Sequence, residues 1–241
     1  MRGFLMAVLL FLTPLAGRAE TIMVNSSQGG IYLVDVETLA AKEITQAPQF
    51  FDIAVSPEGE IFGVTSGGQI WKVVPEGLHL PLGVVRVFVN ALEFDAGGTL
   101  LGAGSQTVVG IEPVDGSTQV IGHYPGFLSS GDMTFAPDGV LFATGSPGPR
   151  AMDALFRMAP GGTMTPVGPI GFRNVYGLVW SHQFNTLIGL TEARELITVD
   201  PETGAGRLLG VLDIPGRGYG AAGFAPTSAP LGFLTPDIRT F

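Results

Sequence analysis

A short motif recurs five times along the chain. Phe51–Gly59 (FDIAVSPEG) matches Gly131–Gly139 (GDMTFAPDG), and Asn90–Gly98 (NALEFDAGG) is a looser copy. Tyr176–His182 (YGLVWSH) and Gly220–Pro226 (GAAGFAP) are looser again. The aligned positions are Asp52, Ala91, Asp132, Gly177 and Ala221, with steps of 39, 41, 45 and 44 residues. A repeat of that length suits one four-stranded propeller blade.

Each complete copy continues in the same order. A second strand is expected at residues 60–65, 99–104, 140–144 and 186–191. A third is expected at 69–74, 107–111, 154–158 and 195–199, and a less regular fourth at 79–84, 118–122, 163–167 and 207–212. The 36 Gly and 18 Pro fall between short apolar runs, where strand proteins place turns. No run shows the 3.6-residue period of a helix. A β-helix would have shorter rungs, and a sandwich needs no fixed repeat.

The two ends complement one another. The N-terminal part begins at a second strand (20–25) and continues with strands at 30–36 and 41–45. The C-terminal part supplies a lone first strand at 221–224. Together they make one blade, so the expected fold is all-β: a five-bladed β-propeller with blade 1 closed by N- and C-terminal strands. Closure leaves no open strand edge at the seam.

The segments SPEG at 56–59, APDG at 136–139 and DPETG at 200–204 resemble the repeats of exported bacterial β-propellers, the broad YVTN/NHL-type and WD40-like group. The resemblance spans nearly the whole chain after residue 19. It implies architecture and not activity, because such repeats serve many functions. The Trp-Asp dipeptide of WD40 repeats is absent.

Residues 1–19 read as a secretory signal peptide: Arg2, an apolar run from Phe4 to Leu12, the breaker Pro14, and small residues Gly17 and Ala19 before Glu20. Cleavage near Ala19 would leave residues 20–241 as a single propeller domain in the periplasm or outside the cell, with no membrane insertion after processing. The chain has no cysteine, which excludes disulfides and thiolate chemistry. A net charge of −9 with only 14% charged residues argues against nucleic acid as a partner. A monomer is expected.

In a propeller the first strands line the central channel, so ligand-binding candidates sit where those strands begin. They are Phe51, Asp52, Asn90, Asp132, Asn174, Tyr176 and Tyr219. Asp52 and Asp132 offer hard oxygen ligands that suit calcium, the one cofactor these residues point to. The structural alternative is that both carboxylates bond backbone amides and hold neighbouring blades. Ala91, Gly177 and Ala221 at the equivalent positions break any full carboxylate ring. His79, His123 and His182 have no metal-site spacing, and no Gly-x-Ser-x-Gly elbow is present. Asp35–Thr38 and Asp200–Gly204 lack the ligand series of a calcium loop and read as turns. The large apolar residue once per repeat (Val55, Phe94, Phe135, Trp180, Phe224) reads as blade-to-blade core. Arg150, in the insertion Ser146–Met152, is a further ligand contact to consider.

Two functions follow as expectations. One is an exported, non-catalytic propeller that binds a protein, peptide or glycan at one face of the ring. The alternative is a metal-assisted hydrolase, lactonase or lyase at the channel mouth, with Asp52, Asn90 and Asp132 holding the metal.

Overall fold

The computed structural model describes residues 20–146 and 152–224. The signal segment, Arg150 and the tail after Phe224 lie outside the described residues. Twenty strands form five four-stranded antiparallel sheets, and no helix occurs among the described residues.

Blade 1 joins β1 (Thr21–Ser26), β2 (Gly30–Asp35) and β3 (Ala41–Gln46) to the last strand, β20 (Gly218–Ala222), in the order β20-β1-β2-β3. Blade 2 contains β4 (Phe50–Val55), β5 (Ile61–Thr65), β6 (Gln69–Val73) and β7 (Leu80–Val84). Blade 3 contains β8 (Ala91–Phe94), β9 (Leu100–Gly104), β10 (Thr107–Ile111) and β11 (Thr118–His123). Blade 4 contains β12 (Ser129–Phe135), β13 (Leu141–Gly145), β14 (Ala154–Met158) and β15 (Thr165–Pro169). Blade 5 contains β16 (Val175–Ser181), β17 (Thr186–Thr191), β18 (Glu195–Val199) and β19 (Gly206–Val211). The structure is thus the five-bladed propeller that the repeat predicts. The seam falls at the β1–β20 ladder, where Met23 faces Ala222 and Val24 faces Ala221.

The burial pattern follows strand position. The second strand of each blade is apolar on both faces, because neighbouring blades cover both sides. In β17 all residues but Thr186 are buried, and in β9 all are. The fourth strands alternate little and lie open, as in β11, where Val120 and Ile121 are exposed. The core is divided among the blade interfaces. One cluster packs Val24 and Val34 of blade 1 against Val179 and Leu190 of blade 5, and another packs Ile53 of blade 2 against Met23 and Leu33 of blade 1.

The blade turns use one device. Asp200 Oδ1 accepts the Glu202 and Thr203 amides at 2.8 and 3.0 Å, and Gly204 takes φ +77°. Asp35 Oδ1 accepts the Glu37 and Thr38 amides in the same way, with Leu39 at φ +62° in the glycine position. These carboxylates are spent within their own turns.

Candidate functional site

The five first strands run side by side around the axis, and β4, β8, β12, β16 and β20 contact one another in ring order. Their starting ends surround one mouth of the channel and their finishing ends the other. A narrow waist separates two cavities.

At the waist stand Asp52 and Asp132, both wholly buried. Asp52 accepts the Ile53 amide at 2.8 Å and, from the next blade, the Leu92 amide at 2.6 Å. Asp132 accepts the Met133 amide at 2.6 Å and the Leu178 amide of blade 5 at 2.5 Å. It also receives the Ala221 amide, two blades away, at 3.4 Å. The two carboxyl groups interact with each other. Burial pushes both well above the ordinary carboxylate range, opposed by the backbone amides they accept, and the proximity of Asp52 raises Asp132 further.

The glycine at one of the other aligned positions has a steric cause: a Cβ on Gly177 would lie 2.7 Å from the Ala221 Cβ. At Gly131, next to Asp132, a Cβ would lie 2.5 Å from the Tyr176 Cα. Asn25 completes the inter-blade set by donating to the Phe50 carbonyl at 3.0 Å, and Asn90 donates to the Ser129 carbonyl at 3.4 Å. The Asp153 carboxylate, unmarked in the sequence, accepts the Val175 amide at 2.7 Å, and burial raises its pKa to about 6.

Above the waist lies a cavity of about 210 Å3 lined by Phe51, Phe88, Asn90, Ser130, Gly131, Tyr176, Glu192 and Tyr219. Of the residues predicted for this mouth, Phe51, Asn90, Tyr176 and Tyr219 line it. Asp52 and Asp132 lie beneath it, and Asn174 stands outside, donating to Glu192 Oε2 at 2.6 Å. The rings form an arc of edge-on contacts: Phe88 to Phe51 at 6.3 Å, Phe51 to Tyr219 at 6.5 Å and Tyr219 to Tyr176 at 6.2 Å. Asn90 Oδ1 is buried and accepts no hydrogen bond among the described residues. Glu192 also pairs with Arg217 at 2.7 Å. Sequence reasoning missed Glu192 and Phe88, which lie on connections and not on the repeated strand.

The opposite mouth opens into a larger cavity of about 690 Å3. Val55, Phe94, Phe135, Trp180 and Phe224, expected as blade-to-blade core, do pack against the core clusters, yet all five also wall this cavity. A first strand must show its last side chain to the axis, so the repeat signal for core and the signal for a cavity wall are the same. Glu93, Thr134 and His182 join them. The Glu93 carboxylate accepts the Phe94 amide at 2.8 Å, and burial raises its pKa to about 7.

The remaining histidines are structural. His79 accepts the Val74 amide at 3.2 Å and contacts the Gln46 carbonyl at 2.7 Å, linking blades 2 and 1, while His123 ends the outer strand β11. Among the described residues no group of three or more His, Cys, Asp or Glu side chains could hold a metal ion.

No protein-family model matches the chain, and no curated protein matches it. Solved structures do resemble it. A symmetrical protein studied for its de novo evolutionary emergence is 16% identical, with a TM-score of 0.53 over 85% of this chain and 94% of that one. A chain of the nidogen/laminin complex is 12% identical, with a TM-score of 0.52 over 85% of each chain. A gluconolactonase from Xanthomonas campestris is 14% identical, with a TM-score of 0.50 over 83% of this chain and 87% of that one. At such identity the likeness concerns the fold alone.

Proposed function

We propose that this protein is an exported binding propeller that takes a basic side chain of a peptide or protein partner into the mouth rimmed by Phe51, Phe88, Tyr176 and Tyr219. The observation that carries the reading is the arc of four rings in a cavity that Asn90 and Glu192 also line. Ring faces attract a cation, by about 0.5–2 kcal/mol depending on desolvation. The carboxylate oxygens of Glu192 keep acceptor capacity beyond their bonds to Asn174 and Arg217. The cavity has room for one side chain, so the rest of the partner would lie across the ring face. The pattern in residues 1–19 supports export.

The test is fluorescence anisotropy with a labelled tetralysine peptide. Saturable binding is expected, weakened by salt and weakened about 2- to 30-fold by Tyr219→Ala or Glu192→Gln. Absence of binding, or equal affinity in both variants, overturns the reading.

A second reading, a metal-assisted hydrolase or lactonase, draws support from the Asp52–Asp132 pair directly beneath this mouth and from the fold shared with a gluconolactonase. It predicts a calcium-dependent rise in melting temperature that Asp52→Asn removes, together with lactone hydrolysis.

A further inference from the structure

We propose that the cavity at the opposite mouth is a second, separate ligand site, and that it takes a flat, neutral, largely apolar small molecule carrying a hydrogen-bond acceptor such as an aryl ketone or ester. Each of the five blades gives one apolar side chain to its wall: Val55, Phe94, Phe135, Trp180 and Phe224. The four aromatic ones are only partly covered by blade packing, which leaves ring surface directed at the cavity. A volume of about 690 Å3 falls in the range of about 300–1,000 Å3 that holds drug-sized ligands.

The polar groups select the ligand's chemistry. Trp180 Nε1 is buried behind the cavity wall and donates to nothing among the described residues, so the indole meets a ligand through its carbon surface. Glu93 sits among apolar walls that favour its neutral form, and a neutral carboxyl donates. Lysine and arginine are absent from the lining, while Glu93 and Asp95 belong to it, which disfavours an anion. The waist, closed by Asp52, Asp132 and the close strand contacts at Gly131 and Gly177, separates this cavity from the mouth that takes the basic side chain.

The experiment uses the full chain and Prodan, a neutral naphthyl ketone whose emission shifts to the blue in a dry site. One saturable site is expected, with energy transfer from Trp180 that survives Trp71→Phe and vanishes in Trp180→Phe. Trp180→Phe keeps an aromatic ring but removes part of the indole wall, and is expected to weaken binding at least threefold. Phe224→Ser, beyond the last ladder pair, is expected to weaken it about tenfold without lowering the melting temperature by more than a few degrees. Tetralysine should not displace the probe. Absence of a saturable blue shift overturns the proposal. Unchanged affinity in both variants, or displacement by tetralysine, places the probe elsewhere and overturns it equally. If Phe224→Ser fails to fold, Trp180→Phe decides alone.

Discussion

Asp52 and Asp132 sit on blades that are not neighbours, with the whole of blade 3 between them, yet their carboxyl groups interact across the channel waist. Two buried carboxyl groups that interact resist ionising together, so burial and proximity favour the protonated pair. The link between blades 2 and 4 therefore depends on protonation.

A pH dependence follows. Asp52, Asp132, Asp153 and Glu93 are all raised above their ordinary values of 3.8 and 4.5, so the folded state holds protons that the unfolded chain releases. The stability from this source is fully present below about pH 4 and is lost as pH rises, through about 6 for Asp153 and about 7 for Glu93. The melting temperature is expected to be higher at pH 5 than at pH 8, with Glu93→Gln flattening the upper part of the curve. A melting temperature that rises from pH 5 to pH 8 would refute this.

The effect of replacing Asp132 should depend on what replaces it. Asp132→Ala strands the Met133 and Leu178 amides in the dry waist, and each buried donor left unpaired costs about 1–3 kcal/mol. Urea unfolding should show a loss of about 3 kcal/mol or more. Asp132→Asn keeps a carbonyl acceptor and supplies an N–H toward Asp52, so it should retain more of the stability than alanine does.

Ring packing gives a steric prediction. Gly131→Ala places a methyl group 2.5 Å from the Tyr176 Cα, where only movement of backbone can relieve it. A loss of about 1–3 kcal/mol is expected from overpacking. Because Tyr176 lines the mouth proposed to take a basic side chain, tetralysine affinity should fall with it. Gly98→Ala, with open space around it, should cost far less through packing, although its φ of +83° still disfavours a side chain.

Glu20 tests the link between processing and fold. Its carboxylate accepts the His182 amide at 2.9 Å and the Ser181 hydroxyl, and its own amide donates to Gln183 Oε1 at 2.8 Å. If the signal is cleaved after Ala19, N-terminal sequencing of exported protein reads Glu20 first, and Glu20→Ala lowers stability by about 1 kcal/mol. A start beyond Thr21 would contradict that processing site.

Much of the architecture was legible because a blade repeats its pattern. The third strands 107–111, 154–158 and 195–199 coincide with β10, β14 and β18, and the pairing of the two ends was readable from a first strand missing at one end and surplus at the other. The last strand was placed about three residues late, since the start of Gly218–Ala222 is rich in glycine and carries little apolar signal. The site was legible only in part. Asn90, Tyr176 and Tyr219 lie on the repeated strand and were found; Glu192 and Phe88 lie on connections without periodicity and were not. The recurring large apolar position reads as blade core, which it is, and the cavity it also walls was not legible because both roles demand the same side chain.

The β1–β20 ladder has a consequence in time. Val24 cannot meet Ala221 until nearly the whole described chain has been made, so four blades must wait, with β1 unpaired on one edge, for the strand that completes the fifth. Pairings this distant in sequence are slow to form. The ring is thus closed by a lock whose key is the last described strand to be made.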